Sequence, residues 1–127
     1  MNSCKNCQKT VKRKVSVYCS NQCQKDFEHK VLVKEWLLGN IKGTVGRTLQ
    51  IARFVRKYLK ESRGSACSEC GWDEVHPVDG KSLTEIDHID GDASNTVPEN
   101  LKILCPNCHS MTPTFRARNK VSARSRK

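Results

Sequence analysis

The segment from Asp87 to His109 brings several chemically active side chains close together in the sequence. It reads Asp-His-Ile-Asp-Gly-Asp at residues 87–92, Glu-Asn-Leu at residues 99–101 and Cys-Pro-Asn-Cys-His at residues 105–109. A histidine that is neutral near pH 7 can accept a proton, and a carboxylate together with a second imidazole can hold a divalent cation. The segment therefore contains the groups for metal-assisted acid–base chemistry.

Four cysteines, two before this segment and two within it, have the spacing of a structural zinc site. Cys67-x-x-Cys70 is followed by Cys105-x-x-Cys108 with 34 residues between Cys70 and Cys105, and the glycine after Cys70 permits the tight turn of a zinc knuckle. A zinc ion held by these four thiolates would contribute roughly 10 kcal/mol or more to folding. We expect the surrounding unit to unfold without it.

Cys108 and His109 are predicted to bind different metal ions. Pro106 suits the first turn of a short helix, and adjacent residues on a helix point about 100° apart. One ion would then be structural and held by the cysteines, and the other would be catalytic and held by His109.

Four further cysteines lie near the amino terminus, as Cys4-x-x-Cys7 and Cys19-x-x-x-Cys23. This spacing fits a small zinc ribbon or treble-clef-like module. Eight cysteines in four close pairs, with no signal-peptide pattern, indicate a reducing compartment, in which zinc ligands are favoured over disulfides. Disulfide bridges are the alternative interpretation.

The amino-terminal half is predicted to contain one short strand and two helices. Val15, Val17 and Tyr18 are typical of a strand, and residues 24–38 are typical of a helix that Gly39 ends. A second helix is predicted from apolar residues spaced by four, three, three and four, which are Val45, Leu49, Ala52, Val55 and Leu59. Its basic residues fit either a solvated surface or a contact with a DNA backbone; they are Arg47, Arg53, Arg56, Lys57, Lys60 and Arg63.

The carboxy-terminal half is predicted to form two strands and a helix around a zinc ion. The strands are expected at residues 82–89 and 101–104, and the helix begins at Pro106. Neighbours on a strand face opposite sides, so Asp87 and His88 can serve one site only if the strand ends or bulges there. The turn expected at Gly91 favours an ending. Asp90 and Asp92 are interpreted as turn formers beside it.

The charge is unevenly distributed along the chain. Residues 1–63 carry 15 basic and 4 acidic side chains, residues 64–109 carry 2 and 9, and residues 110–127 carry 6 and none, for a net charge of +10. Two basic arms around an acidic centre favour a polyanionic partner, of which nucleic acid is the natural one. No apolar run of about 18 residues suggests a membrane span.

The motifs in the carboxy-terminal half resemble those of the HNH endonucleases. The similarity rests on Ile-Asp-His-Ile-Asp-Gly-Asp at residues 86–92, Pro-Glu-Asn-Leu at 98–101 and Leu-Cys-Pro-Asn-Cys-His at 104–109, and it extends from Cys67 to beyond His109. The amino-terminal cysteines, Trp-Leu-Leu-Gly at 36–39 and Asn-Cys-His-Ser-Met-Thr at 107–112 further resemble small free-standing phage nucleases of the homing type.

This resemblance implies a ββα-metal active site with defined residue roles. His88 would be the general base, Asp87 and His109 would ligate one Mg²⁺ or Mn²⁺ ion, and Asn100 would fix the loop that carries His88. Phosphodiester hydrolysis asks for the same groups, because it needs an activated water on one side of phosphorus and stabilisation of the departing 3′ oxygen on the other.

The sequence therefore predicts a small, zinc-stapled α+β protein. Its expected parts are a zinc module with a helix at residues 1–38, a basic linker helix at 39–63, an HNH unit at 64–115 and a basic, disordered tail at 116–127. The predicted function is metal-dependent cleavage of DNA in the cytoplasm, that of a bacterial host if the protein is phage-encoded. It would leave a 5′ phosphate, and a monomer would nick rather than cut both strands.

The sequence leaves two other functions and the oligomeric state open. The main alternative is a non-catalytic, zinc-stapled nucleic-acid-binding protein, and an RNA-directed toxin is a third possibility. The protein could be a monomer or a dimer.

Overall fold

The computed structural model describes residues 2–13 and 16–121 of the 127-residue chain. The chain divides into two compact units, residues 1–41 and 42–127. Within the described residues, three separate two-stranded antiparallel sheets alternate with α-helices. The predicted small α+β fold is confirmed.

The first unit is a short hairpin followed by one long helix. Strands β1 (Asn2–Ser3) and β2 (Thr10–Val11) pair on either side of the first two cysteines. Helix α1 (Asn21–Leu37) begins where the Ser20 hydroxyl accepts a hydrogen bond from the Cys23 N–H at 3.1 Å. The helix predicted at residues 24–38 is thus present and starts three residues earlier, inside the second cysteine pair.

The strand predicted at Val15, Val17 and Tyr18 is absent at the two of these residues that the structure describes. Val17 and Tyr18 lie in bends, and Val15 lies outside the described residues. The Val17 carbonyl instead accepts a hydrogen bond from the Lys5 N–H at 2.9 Å. The strand pairing of this unit is made by the residues that flank Cys4 and Cys7.

The second predicted helix begins later than expected. Residues 44–51 form a hairpin of β3 (Thr44–Val45) and β4 (Gln50–Ile51), and helix α2 spans only Arg53–Arg63. Gly46 and Leu49 have φ angles of 74° and 55°, which a helix cannot contain. The helical spacing of Val45 and Leu49 was therefore coincidental, whereas Val55 and Leu59 are fully buried as predicted.

The residues of the predicted site are carried by two strands and a short helix. Strand β5 (Glu85–His88) pairs with β6 (Leu101–Leu104), so that Asp87 lies opposite Lys102 and His88 opposite Leu101. Helix α3 (Pro106–Ser110) follows with Pro106 in its first turn, as predicted. The first strand is shorter than the predicted 82–89, because Ser82 forms only an isolated bridge with Val75.

Residues 116–121, assigned from the sequence to a disordered tail, are ordered. Arg116–Arg118 form a 3₁₀ turn, and the Asn119 side chain donates a hydrogen bond to the Gly91 carbonyl at 2.8 Å. The remainder of the predicted tail, residues 122–127, lies outside the described residues. None of the helices in the described part of the chain is long and apolar enough to cross a membrane.

Candidate active site

The four cysteines of the second unit converge on one point. One ligand atom from each of Cys67, Cys70, Cys105 and Cys108 lies within 4.8 Å of the others, and the Cys70 and Cys105 sulfurs are 3.7 Å apart. A tetrahedral zinc with Zn–S bonds of about 2.3 Å requires sulfurs roughly 3.8 Å apart. The cluster therefore has the dimensions of a zinc site.

Backbone hydrogen bonds favour the ionised form of one of these thiols. Burial opposes ionisation of Cys67, but hydrogen bonds from the backbone of Cys105 and Cys70 outweigh it and lower the pKa of Cys67 to about 6. The side-chain hydrogen bond with Cys105 raises the pKa of Cys108 to about 12. Such closely spaced thiols lose their protons together only when a cation lies among them, which fits Zn²⁺.

The amino-terminal cysteines form a second cluster of the same kind. Cys4, Cys7, Cys19 and Cys23 also bring their sulfurs within 4.8 Å of one another. The Cys19 sulfur lies 3.5 Å from that of Cys7 and 3.4 Å from that of Cys23. Both predicted groups of four cysteines are therefore positioned to hold zinc.

Asp87 and His109 meet, as the sequence predicted they should. Asp87 Oδ1 lies 3.4 Å from His109 Nε2, across the junction of β5 and α3. The other ring nitrogen, Nδ1, lies 2.9 Å from Glu85 Oε2. Glu85 and Asp87 are two residues apart on β5 and so share one face of the strand, which places the imidazole between two carboxylates.

The surroundings of the Asp87 carboxyl group disfavour its ionised form. Burial raises its pKa, and the neighbouring His109 and Lys102 oppose that effect. Among the described residues, none donates a hydrogen bond to the buried Asp87 Oδ2 atom. A buried carboxylate oxygen in this condition fits the ligand shell of a divalent cation.

His88 is the last residue of β5 and is held by Thr96. His88 Nε2 lies 2.9 Å from the Thr96 hydroxyl, which itself donates a hydrogen bond to the Ala93 carbonyl at 3.0 Å. The Thr96 hydroxyl therefore orients the imidazole through its Nε2 atom.

Asn100 ties together the loop that follows His88. Its side-chain oxygen accepts from the Asp90 N–H at 3.1 Å, and its amide donates to Asp90 Oδ1 at 2.8 Å and to the Asn95 carbonyl at 2.7 Å. Its backbone carbonyl accepts from the Ile89 N–H at 2.8 Å. The amide of Asn95 and neighbouring donors lower the pKa of Asp90, which keeps its carboxylate ionised.

The two histidines and Asp87 share one cavity of about 930 Å³. Asp87, His88 and His109 all line it, although two of them are neighbours on a strand. The strand ends at His88 and Gly91 turns the chain with φ of 77°, which is the ending that the sequence argument required. Arg56 of α2 also lines the cavity.

The family of this region follows from its sequence. Residues 67–113 match the family model described as HNH endonuclease. These residues are therefore similar to HNH endonuclease domains. The resemblance deduced from the motifs is thus confirmed, and the cavity belongs to that domain together with residues from either side of it.

The chain is also similar to the H-N-H endonuclease F-TflIV of Escherichia phage T5. The two are 33% identical over 75 residues, which are 58% of this chain and 32% of that protein. The chain therefore spans about a third of the length of this curated relative. No solved structure gives a significant match.

Several residues of the HNH site were missed by sequence reasoning. Glu85 and Thr96 contact the two histidines, and Asp90, interpreted only as a turn former, is the main partner of Asn100. Glu85 could have been found from its position two residues before Asp87 on the same strand. Thr96 lies eight residues beyond His88 in an irregular loop, where no periodicity indicates a contact.

The basic residues of α2 divide into different roles. Arg63 donates to the Leu101 carbonyl at 2.6 Å and to the Pro98 carbonyl at 2.9 Å, which holds the helix end against the start of β6. Arg56 lines the cavity, whereas Lys57 lies on the surface, 4.0 Å from Glu61. The sequence pattern alone could not separate these cases.

Proposed function

We propose that this protein is a metal-dependent endonuclease that hydrolyses phosphodiester bonds of DNA. The observation that supports this most directly is the shared cavity of the HNH domain, in which His88 lies beside the Asp87–His109 pair. A general base and a cation site within one cavity are what in-line displacement at phosphorus needs.

His88 is the general base of the proposed reaction. The imidazole, oriented by the contact of its Nε2 atom with the Thr96 hydroxyl, accepts the proton of the attacking water. Asn100 and Asp90 hold the loop after His88 in place, so the ring needs little reorganisation when the substrate arrives. Cleavage by this route leaves a 5′ phosphate and a 3′ hydroxyl.

Asp87 and His109 would hold the divalent cation, for which Mg²⁺ and Mn²⁺ are the candidates. When bound, the cation neutralises charge on the phosphate and stabilises the departing 3′ oxygen. Glu85 accepts the Nδ1–H of His109, which directs the Nε2 lone pair of that ring towards Asp87. The two cysteine clusters would hold structural zinc.

DNA is the proposed substrate because of the charge of the whole chain. The net charge is +10, and eight zinc-bound thiolates with two zinc ions leave about +6. Such a protein attracts a polyanion over several ångströms in a salt-dependent manner. A single active site cuts one strand at a time, so a monomer would produce nicks first.

The test is incubation of the zinc-loaded protein with supercoiled plasmid in Mg²⁺, in Mn²⁺ and in EDTA. We expect nicked circles before linear DNA, only with a divalent cation, and ends that a ligase can reseal. Structured and single-stranded RNA are compared at equal phosphate concentration. Cleavage of RNA but not DNA would show that RNA is the substrate. Binding of DNA without any cleavage would show that the protein is a DNA-binding protein and not a nuclease.

A further inference from the structure

The segment after the HNH domain closes one side of the cavity. Residues 114–121, here called the closing segment, contribute five lining residues: Thr114, Phe115, Arg116, Ala117 and Asn119. The matched HNH domain ends at residue 113, so the motif assigns none of these residues a role.

The closing segment is anchored to the loop that follows His88. Asn119 donates to the Gly91 carbonyl at 2.8 Å, and its side-chain oxygen accepts from the Val121 N–H at 3.0 Å. A Cβ atom on Gly91 would lie only 2.6 Å from Asn119 Oδ1 and 2.8 Å from Thr114 Cγ2. Gly91 therefore permits both its own turn and this close approach.

One ring contact connects this segment to the candidate cation site, and a second links Arg116 to the ring that makes it. The Phe115 ring lies edge-on to the His109 ring, with centroids 5.0 Å apart. The guanidinium carbon of Arg116 lies 4.9 Å from the centroid of Phe115. Arg116 has φ of 49°, a left-handed conformation that residues other than glycine rarely adopt without surrounding constraint.

We infer that Arg116 binds the scissile phosphate, an inference that rests on the proposed nuclease function. The cavity wall carries the carboxylates of Glu85 and Asp87, which repel a phosphodiester unless cations offset them. A guanidinium in the lining of the same cavity can donate two parallel hydrogen bonds to phosphate oxygens. The closing segment thus adds the positive charge of Arg116 to that of Arg56 in this cavity, and Arg116 is the one next to the ring that contacts His109.

Arg118 offers a matched control for the loss of charge. It lies in the same 3₁₀ turn and is exposed, but it does not line the cavity. Single-turnover cleavage of plasmid is measured at saturating zinc-loaded protein in Mn²⁺ for the wild type, Arg116→Gln and Arg118→Gln. We expect Arg116→Gln to slow cleavage roughly 10²-fold or more and Arg118→Gln to change it less than about threefold.

Further measurements separate phosphate binding from a structural role. DNA affinity in EDTA should fall by similar small factors in both glutamine variants, because each removes one charge. Arg116→Lys should recover part of the lost rate. Asn119→Ala should slow cleavage too, and its combination with Arg116→Gln should cost less than the product of the two effects. Melting temperatures establish that each variant is folded.

The possible outcomes distinguish this inference from the proposed function. Equal rates for Arg116→Gln and Arg118→Gln, or a loss confined to DNA affinity, would overturn the role of Arg116 while leaving the nuclease intact. A wild type and an Arg118→Gln variant that both fail to cleave any substrate would overturn the nuclease, and the role of Arg116 with it.

Discussion

At the scale of single residues, the orientation of His88 depends on its contact with Thr96. The Thr96 hydroxyl lies 2.9 Å from His88 Nε2 and donates a hydrogen bond to the Ala93 carbonyl at 3.0 Å. Thr96 is buried, so water does not readily replace it as the partner of Nε2. We therefore assign Thr96 the positioning of the base.

Replacing Thr96 tests this assignment. Thr96→Val keeps the volume but removes the hydroxyl that contacts Nε2, so the imidazole loses part of its fixed orientation, and we expect the single-turnover cleavage rate to fall roughly 10- to 100-fold with DNA affinity unchanged. Thr96→Ser keeps the hydroxyl and should restore most of the rate. Equal rates for valine and serine variants, both folded, would show that the hydroxyl has no part in catalysis.

At the scale of secondary structure, α2 supports the active-site hairpin through its last residue. Arg63 donates one hydrogen bond to the carbonyl of Leu101, which pairs with His88, and another to Pro98 in the turn that carries Asn100. A guanidinium can bridge two carbonyls in this way because its donors are fixed in a plane. The end of α2 therefore fixes the start of β6.

Arg63→Ala should destabilise the second unit by about 1–3 kcal/mol, because the part-buried carbonyl of Leu101 and the exposed carbonyl of Pro98 both lose a charged donor. The matched control is Lys57→Ala, which removes an equal charge from an exposed pair 4.0 Å from Glu61 and should cost less than about 0.5 kcal/mol. Calorimetric melting of the zinc-loaded proteins measures both. Equal melting temperatures for the two variants would contradict the bridging role.

The elements that could be predicted from sequence are those set by local chemistry. The cysteine pairs, the strand at residues 101–104 and the helix beginning at Pro106 follow from ligand spacing, alternation and proline geometry. The hairpin at residues 44–51 could not be predicted, because Val45 and Leu49 imitate a helical stripe. Residues 116–121 are held by the contact between Asn119 and Gly91, which forms only in the folded chain and leaves no pattern in the sequence.

The candidate site was partly predictable for a similar reason. Asp87, His88, Asn100 and His109 stand out by residue type and motif, and the structure brings them around one loop and cavity. Glu85, Thr96 and Asp90 act through contacts with those residues, and nothing in their spacing distinguishes them from ordinary strand or loop residues. Their roles remain proposals, as do those of the motif residues.

At the scale of the whole molecule, the chain consists of two units that each contain four converging cysteines. A unit of about 40 residues buries too little apolar surface to be stable unaided, and a core cluster of the second unit contains Cys67 and Cys105 themselves, so we expect each unit to depend on its own zinc. Basic residues predominate in residues 1–63, whereas the acidic side chains are concentrated in the segment that forms the active site. This division suits a protein that attracts DNA broadly and holds cations locally.

Substitution of single zinc ligands should therefore affect one unit at a time. We expect two zinc ions per wild-type chain and one in either Cys4→Ser or Cys67→Ser, as measured by elemental analysis. Cys67→Ser should abolish the cooperative melting of the second unit, since a structural zinc contributes on the order of 10 kcal/mol. A Cys67→Ser protein that melts like the wild type with one zinc fewer would contradict the stapling of that unit.

The central claim, that His88 is the base of a nuclease, is tested most directly by comparing His88→Ala with the wild type in plasmid cleavage. His76→Ala is the control, because it removes a histidine of the same unit that does not line the cavity. We expect His88→Ala to lose cleavage by at least roughly 10²-fold while it stays folded and keeps its DNA affinity, and His76→Ala to cleave normally. Undiminished cleavage by a folded His88→Ala protein would contradict the account.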